Sequence, residues 1–445
     1  MRLAKFMKKR RVKLRPSVYI AMEFKNRELD SQLYLASKLI QKKYRVYIGS
    51  HAAIFSLMDV KKHKAGLYFD KGTLPSKRMQ NLSLKNDYIA ILDQELGPNI
   101  DEPKNHLEGW PSRIYPNSEK YIDLYFCASD RIFLAAKDRF KNYQTRVLKT
   151  GWPRFDLWDK RWQNLYGYEI NKIKKLPEFL LFISDFGISS KNSTQVEGLE
   201  CMSVDDPKFK TILELIKKFD KNPNIPHIVI RPHISEDVKV WKKALGNSKK
   251  ITITKKFSVT PWVMECIALL HTGSTVALEA KLLEKKVYFL KPSKFNDKSE
   301  LSKIMSDEMI EDNTDLSTLT SISHDTVMSE LQSKFIKNRL QTPGNITEKI
   351  VNIISALQVT PEEPISPTKL IFSKISITKI LRILGLVRHE ILWKLSLTAQ
   401  PPYSHFFPGG LSRSDIRRIL LFEKDINLRV RKSGKNCWRI EMKRN

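Results

Sequence analysis

Short apolar runs alternate with longer amphipathic stretches along most of the chain. In the second half the runs cover residues 179–183, 227–230, 251–253, 267–270 and 287–290, with stretches of helical length between them. In the first half the same pattern gives strands at residues 17–24, 44–48, 66–70, 88–92, 122–128 and 147–149. Runs of this kind are typical of parallel sheets whose two faces are covered by helices. The sequence therefore predicts an α/β fold.

The first strand is followed by a helix with a clear apolar face. Its apolar positions are Leu29, Leu33, Leu35, Ala36, Leu39 and Ile40. Asn26, Glu28 and Asp30 lie at the start of this helix. Asn26 suits a helix cap, and the two acids suit either a ligand cleft or the helix dipole.

Polar and charged residues from 159 to 175 separate the two sets of strands, which predicts two α/β domains. The predicted parts are a basic arm at 1–15, an N-terminal domain at 16–160, a C-terminal domain at 176–357 and a basic region at 366–445. A proline-rich linker at 361–367 precedes the last part.

Two strand ends in the second half carry polar motifs that suit a nucleotide phosphate. Arg231 and His233 follow one strand, and the run from His271 through Thr272, Gly273, Ser274 and Thr275 follows another. Helix N-termini at such strand ends offer unpaired N–H groups to anions, and Glu279, one turn later, suits ribose hydroxyls. The alternative is that Ser274 only caps a helix and Glu279 is a surface acid.

Two acids at other strand ends are candidate catalytic residues. Glu95 follows the run at 88–92, and Asp185 follows the run at 179–183 beside a glycine. A carboxylate at such an edge can act as a general acid or base if burial raises its pKa. The alternatives are that Glu95 holds its loop by hydrogen bonds and that Asp185 caps a turn.

The formal charge of +30 predicts that the surface attracts polyanions. No zinc-finger, RRM or basic-zipper pattern occurs, and basic residues spread over the whole length, so we expect an anionic membrane surface and no nucleic acid as partner. The N-terminal arm holds eight basic residues and no acid, which suits contact with anionic lipid. A lysine-rich composition that reflects only an AT-rich genome is the alternative.

The tail at 366–445 has 17 Lys and Arg against 5 Asp and Glu, with Leu, Ile and Trp interleaved through its first half. This composition favours an interfacial amphipathic segment, although helices packed on the domains fit equally well. Residues 411–421 are predicted to form one of its helices. No run is long enough to span a bilayer, the N-terminus lacks the apolar core of a signal peptide, and the four scattered cysteines suit reduced thiols. We expect a cytoplasmic protein, peripheral on the inner face of the cell membrane.

Six motifs together resemble the bacterial surface carbohydrate biosynthesis proteins. They are NRELDS, ILDQELGPNID, TGWPRFDL, RPHISED, PWV and HTGSTVALEA, and the resemblance covers about residues 17 to 300. That family is similar to retaining Kdo glycosyltransferases and implies a GT-B-like fold, with two Rossmann-type domains facing a cleft and a basic C-terminal extension in this chain. It further implies that a helix at 340–357 crosses back to the first domain. The loop with Asn26, Glu28 and Asp30 would then face the cleft between the domains. Glu95 matches the family's acidic position, whereas Gln94 departs from the usual DEEG pattern.

The resemblance implies a glycosyltransferase for capsule or lipopolysaccharide, with a nucleotide-sugar donor and a glycan or lipid-linked glycan acceptor. A CMP-Kdo donor would imply retention through a carboxylate nucleophile, with Asp185 favoured over Glu95. The sequence has no Asp-x-Asp triplet, so no metal and no cofactor are expected and basic side chains would neutralise the leaving phosphate. Two rival functions remain: a phosphotransferase with a CDP-glycerol-type donor, and a non-catalytic scaffold that binds membrane or RNA.

Overall fold

Two sheets, both mainly parallel, form the centre of the molecule. The computed structural model describes residues 14–93, 114–184, 207–233, 236, 238–246, 248–291, 303–311, 319, 327–339, 345–365, 407, 409–422 and 427–443. Apolar clusters cover both faces of each sheet, and one of them includes side chains from both sheets. The two sheets therefore share one apolar cluster, and each has a further cluster of its own.

The strands of the first sheet come from both ends of the chain. They are β1 (Arg15–Met22), β2 (Arg45–Ser50), β3 (Leu67–Asp70), β4 (Tyr88–Leu92), β5 (Leu124–Cys127) and β6 (Arg146–Lys149), and later β13 (Pro361–Glu362), β14 (Leu428–Gly434) and β15 (Cys437–Met442). Their order is β14-β15-β2-β1-β3-β4-β5-β6, with β13 paired to β1. β1 to β6 are parallel, and the C-terminal hairpin joins antiparallel through β15 on β2, where Trp438 pairs with Ile48.

The second sheet is entirely parallel over its described strands. These are β7 (Phe179–Ile183), β8 (His227–Arg231), β9 (Ile251–Ile253), β10 (Ala268–His271), β11 (Lys286–Leu290) and β12 (Glu308–Ile310), in the order β12-β11-β10-β7-β8-β9. Every side chain of the central strand β7 is buried, which explains its unbroken apolar sequence.

Helices connect the strands and cover the sheets. Those of the first half are α1 (Lys25–Gln41), α2 (His51–Val60), α3 (Ser76–Ser83), α4 (Asp130–Arg139) and α5 (Gly167–Ile173). The second half has α6 (Pro207–Lys221), α7 (Val238–Leu245), α8 (Thr260–Glu265), α9 (Val276–Leu282), α10 (Glu330–Arg339) and α11 (Ile346–Ser355), and the tail has α12 (Arg413–Arg417) and α13 (Ile419–Phe422). Short 3₁₀ helices lie at Glu119–Tyr121, Pro153–Leu157 and Lys160–Tyr166.

Helix α11 follows the second sheet but packs on the first half. The buried carboxylate of Asp156 accepts the N–H groups of Ile346 (3.2 Å) and Thr347 (2.7 Å), which caps the start of the helix. Near its other end, the hydroxyl of Tyr44 donates to the carbonyl of Ile354 at 3.2 Å. These contacts fasten the end of the second half to the first, as the resemblance implied.

The α/β prediction and the predicted strands of both halves are confirmed, with ends that differ by one or two residues. The C-terminal hairpin β14–β15 was not predicted, because its many Lys and Arg residues hid an alternation in which Trp438 and Ile440 face the core. The helix predicted at 411–421 is two short helices, α12 and α13. The apolar positions of the tail between 370 and 395 lie outside the described residues. No helix in the described part of the chain is long and apolar enough to cross a membrane.

Candidate functional site

A cleft of about 450 Å³ lies where strand ends of the two sheets approach each other. Its lining comes from the start of α1, from the loop after β9, from α5 and from the C-terminal segment. The lining residues are Lys25, Asn26, Leu29, Asp30, Glu169, Lys255, Lys256, Phe257, Ser258, Asp415 and Arg418. Since α1 follows β1 and the loop follows β9, the carboxyl ends of strands from both sheets border this cleft.

The three polar residues at the start of α1, one amide and two acids, lie in different surroundings. Asn26 and Asp30 lie one helical turn apart and line the cleft. Glu28 is fully buried and accepts the backbone N–H groups of Glu23 (3.1 Å) and Phe24 (3.0 Å), so it stabilises the helix N-terminus instead. Burial raises the pKa of Glu28. Of the two roles that the sequence left open for Glu28, the helix-start role matches this geometry.

The C-terminal segment forms one side of the cleft through ion pairs with α1. Nζ of Lys25 donates to Oδ2 of Asp415 and to the carbonyl of Gly410, both at 2.8 Å. Arg418 lies 3.2 Å from Asp30 and also bonds Glu169. Burial alone would lower the pKa of Arg418, but the carboxylates of Asp30 and Glu169 raise it. The tail is thus built into the cleft wall.

Arg231, at the end of β8, shapes the opposite side of the cleft. Its guanidinium donates to the carbonyls of Lys256 (2.6 Å) and Phe257 (3.1 Å) and lies over the ring of Trp262. Burial lowers the pKa of Arg231 to about 9, and Glu279 opposes that shift. Arg231 therefore holds the backbone of the loop after β9, and this loop presents Lys256 to solvent.

Glu279 lies inside the molecule, between the two sheets. Oγ1 of Thr260 donates to its carboxylate at 2.5 Å, and Nη2 of Arg154 lies 3.7 Å from it. Burial raises the pKa of Glu279, while Arg154, Thr260 and Arg231 lower it. The side chain is 1% exposed, so the predicted contact with ribose would require a rearrangement. The surface-acid alternative does not fit either.

A narrow extension leads from the cleft towards this buried carboxylate. It has a volume of about 10 Å³, the size of one water, and shares Asn26, Asp30 and Ser258 with the cleft. Its deeper lining includes Arg154 and Thr260, both of which contact Glu279. Two residues that contact Glu279 therefore border a small cavity next to the cleft.

The loop after β10 is held by His271 from within. The ring is fully buried, Nδ1 accepts the N–H of Gly273 at 3.2 Å, and Nε2 lies 2.9 Å from Oγ of Ser306. Because Nδ1 accepts, the proton is assigned to Nε2, which donates to Ser306. Burial lowers the pKa of His271 to about 3, so the ring stays neutral. In this structure His271 positions a loop and exposes no atom to a ligand.

The rest of that loop is partly accessible. Thr272 is buried, whereas Gly273, Ser274 and Thr275 are half-buried, and Gly273 has a φ of 143° that favours glycine. The hydroxyl of Ser274 accepts the N–H of Val276, the first residue of α9, at 3.2 Å, although the cap residue itself is Thr275. None of these residues is among the described residues that line the 450 Å³ cleft.

Glu236 organises the turn that carries His233. Its buried carboxylate accepts from Oγ of Ser184 (2.6 Å) and from Nε1 of Trp241 (2.8 Å). The hydroxyl of Ser184 in turn accepts the N–H of His233 at 3.3 Å. The ends of β7 and β8 are thereby tied together, and His233 remains exposed. Asp185 and Glu95 lie outside the described residues.

Sequence reasoning missed several residues of this site. Lys255, Lys256, Asp415 and Arg418 line the cleft, and Arg154 reaches the buried acid. The motif TGWPRFDL contained Arg154 without indicating its contact, whereas Ser412 and Asp415 show the spacing of a capping box that does form. No three His, Cys, Asp or Glu side chains in the described regions group closely enough to hold a metal ion.

Comparison with known proteins gives structural similarity only. No family model matches the chain, and no curated protein matches it. Among solved structures, the wall teichoic acid polymerase TagF aligns at 13% identity over 77% of this chain and 89% of its own, with a TM-score of 0.49.

Two other solved structures are also similar in part. The UDP-GlcNAc 2-epimerase of Methanocaldococcus jannaschii, in complex with UDP-GlcNAc and UDP, aligns at 13% identity over 76% of this chain and 99% of its own, with a TM-score of 0.45. MnaA of S. aureus with UDP aligns at 10% identity over 87% and 99%, with a TM-score of 0.41. At such identities and scores the functions of these proteins do not transfer to this chain.

Proposed function

We propose that this protein is a GT-B-like glycosyltransferase of bacterial surface polysaccharide biosynthesis, and that the 450 Å³ cleft binds its nucleotide-sugar donor. The observation that carries the proposal is the meeting of strand ends: residues after β1 and residues after β9 line the same cavity. In open α/β sheets, ligands bind outside the carboxyl ends of the strands. The six sequence motifs supply the surface-polysaccharide assignment.

The loop after β9 is the proposed phosphate-binding part of the cleft. Lys255 and Lys256 lie there, and Arg231 fixes the loop through two of its carbonyls. The hydroxyl of Ser258 makes no hydrogen bond to another described residue and lines the cavity, so it is available to a ligand. Two lysines and a hydroxyl suit a leaving phosphate whose negative charge increases during transfer.

The reaction breaks the bond between the anomeric carbon and the phosphate oxygen. That oxygen keeps the electron pair, and an acceptor hydroxyl forms the new bond and loses its proton to a base. Asp30 is the acid of α1 that lines the cleft in the described part of the chain. Glu95 and Asp185 remain the proposed catalytic carboxylates, with Asp185 as nucleophile if the donor is CMP-Kdo. His271 and Glu28 take positioning roles in this proposal.

The test is product analysis after incubation with a panel of donors and a lipid-linked glycan extract from the source membrane. A glycosyltransferase releases the free nucleotide and transfers the sugar by cleaving the carbon–oxygen bond. Cleavage of a phosphorus–oxygen bond, with transfer of a phosphoglycerol group from CDP-glycerol, would replace the proposal with the phosphotransferase function. No donor consumption, together with retained lipid or RNA binding, would favour the scaffold function.

We further propose that the protein acts on the inner face of the cell membrane, held by its basic N-terminal arm. Removal of residues 1–13, which precede β1, should reduce the fraction of protein that floats with phosphatidylglycerol vesicles. Each basic residue near an anionic surface contributes about 1 kcal/mol to the free energy of binding. Flotation with phosphatidylcholine vesicles should not change. Unchanged flotation would show that the arm is no anchor.

A further inference from the structure

The two sides of the cleft carry opposite charge. The loop after β9 contributes two cations, Lys255 and Lys256, which we call the lysine side. The acidic side is a set joined by ion pairs, in which three carboxylates outnumber two cations; it consists of Lys25, Asp30, Glu169, Asp415 and Arg418. The acidic side therefore has a formal charge of −1, opposite in sign to that of the lysine side, and suits anions less well.

The tail residues of the acidic side are held in fixed positions. Asp415 accepts the N–H of Ser412 at 2.7 Å, and its own N–H donates to the Ser412 hydroxyl at 3.1 Å, which forms a capping box. Nε1 of Trp438 donates to the carbonyl of Leu411 at 2.8 Å and anchors the segment to the C-terminal hairpin. Side chains that are already ordered lose little entropy when a ligand binds.

The hydrogen-bonding groups on this side suit hydroxyls. The carboxylates of Asp30 and Asp415 accept hydrogen bonds, and the guanidinium of Arg418 donates them. The side-chain amide of Asn26, also at the cleft, makes no hydrogen bond to another described residue and can both donate and accept. A hydroxyl both donates and accepts, whereas a phosphate or carboxylate accepts only and would face a net negative charge.

We propose that the C-terminal segment at 411–422 is a specificity element, in which Asp415 and Arg418 contact an uncharged, hydroxyl-rich group linked to the nucleotide. The inference rests on the proposed function and deepens it, because it assigns the nucleotide phosphate to the lysine side and the neutral sugar or polyol to the acidic side. It also selects neutral donors over acidic ones such as CMP-Kdo.

The test compares three ligand classes by calorimetric titration of the full chain. The first is the nucleotide alone (CMP, CDP, UDP, GDP), the second carries a neutral group (CDP-glycerol, UDP-glucose, GDP-mannose), and the third carries an acidic sugar (CMP-Kdo, UDP-glucuronate). Asp415→Asn should weaken the affinity for the neutral class by roughly tenfold, which is the effect of one hydrogen bond to a charged group. The affinity for the nucleotide alone should change by less than about twofold. In the wild type, UDP-glucose should bind tighter than UDP-glucuronate.

Two further variants keep the result interpretable. Arg417→Gln removes the same charge as Arg418→Gln, but from an exposed neighbouring position. It should leave the affinity for all three ligand classes unchanged. Arg418→Lys keeps the charge and should retain more of the neutral-group affinity than Arg418→Gln. Thermal unfolding of each variant identifies any loss of folded protein.

The inference is overturned if nucleotide alone and neutral-group ligands weaken together, if Asp415→Asn behaves like Arg417→Gln, or if acidic sugars bind tighter than neutral ones. These outcomes leave nucleotide binding, and with it the proposed function, intact. Absence of binding by every ligand to the wild type would instead overturn the proposed function and this inference with it.

Discussion

Arg154 and Glu279 link the two sheets: Nη2 of Arg154, in a 3₁₀ helix that follows β6, lies 3.7 Å from Oε2 of Glu279, in α9 on the second sheet. The Arg154 guanidinium also lies over the rings of Trp152 and Trp158. A buried carboxylate needs such partners, because an uncompensated charge inside a protein is costly. Arg154 also lines the small cavity next to the cleft, so the pair lies close to the candidate site.

Glu279→Ala should destabilise the fold. Removal of the carboxylate leaves the Thr260 hydroxyl and the Arg154 guanidinium without their buried partner, at a cost of roughly 3–5 kcal/mol for one member of a buried pair. Urea unfolding followed by circular dichroism measures this loss. Glu178→Ala, at an exposed site of the same half, should stay within about 0.5 kcal/mol of the wild type. Equal stability of the two variants would show that the pair contributes nothing.

The stability of the protein should fall as the pH drops below about 6.5, partly because of His271. Its pKa is about 3 in the folded protein against an ordinary value of 6.5, so the unfolded chain binds the extra proton first. The contribution of His271 to the free energy of unfolding is fully present above the ordinary pKa. It is lost as the pH falls towards 3, at about 1.4 kcal/mol per pH unit for one proton.

His271→Gln should flatten that slope. Urea midpoints measured between pH 7 and pH 5 for both proteins give the difference. The pKa of His51 shifts upward because of Asp70, despite the opposing effect of burial, but His51 is present in both proteins and cancels. Parallel pH profiles for the two proteins would show that His271 is not buried neutral.

Lys256→Gln should weaken nucleotide binding and reduce its dependence on salt. Lys256 is exposed on the lysine side, at the carboxyl end of β9, where an ion pair with phosphate contributes about 1 kcal/mol or less. Lys249→Gln removes the same charge before the other end of β9, away from the cleft lining, and is the matched control. A Kd that changes equally in both variants would show that the affinity depends on the overall charge of the protein and not on the position of Lys256.

Gly49→Ala should displace the C-terminal hairpin. A Cβ at this position would lie 2.5 Å from the carbonyl oxygen of Asn436 and 3.0 Å from Cα of Cys437, both backbone atoms that cannot turn away. Overpacking of this kind costs about 1–3 kcal/mol. Limited proteolysis should cut the tail of this variant faster than that of the wild type. Gly167→Ala, with nothing within 4 Å, should leave the tail protected.

The sheets were predictable from the sequence because burial on both faces leaves continuous apolar runs. Phe179–Ile183 is one example, and the structure gives the strand those same ends. The C-terminal hairpin was not predicted because only part of it is buried and Arg429, Arg431 and Lys432 break its apolar pattern. Strand β15 pairs with β2, which lies far away in the sequence, and the residues around β15 do not indicate this partner.

Only part of the candidate site could be predicted from the sequence. The resemblance implied a cleft at the loop with Asn26 and Asp30, and both residues line the 450 Å³ cavity. Burial decided the rest: His271 and Glu279 have ligand-like positions in the sequence, yet their side chains bond Ser306 and Thr260 inside the protein. The contact of Arg154 with Glu279 joins residues from different halves, and no spacing rule contains that information.

The most direct test of the account is calorimetric titration of the purified protein with CMP, CDP, UDP and GDP at fixed salt. We expect selective binding of one nucleotide, with an affinity that is weakened in Lys256→Gln and unchanged in Lys249→Gln. Absence of binding by all four nucleotides, or equal affinity in Lys256→Gln and the wild type, would contradict a nucleotide site in this cleft.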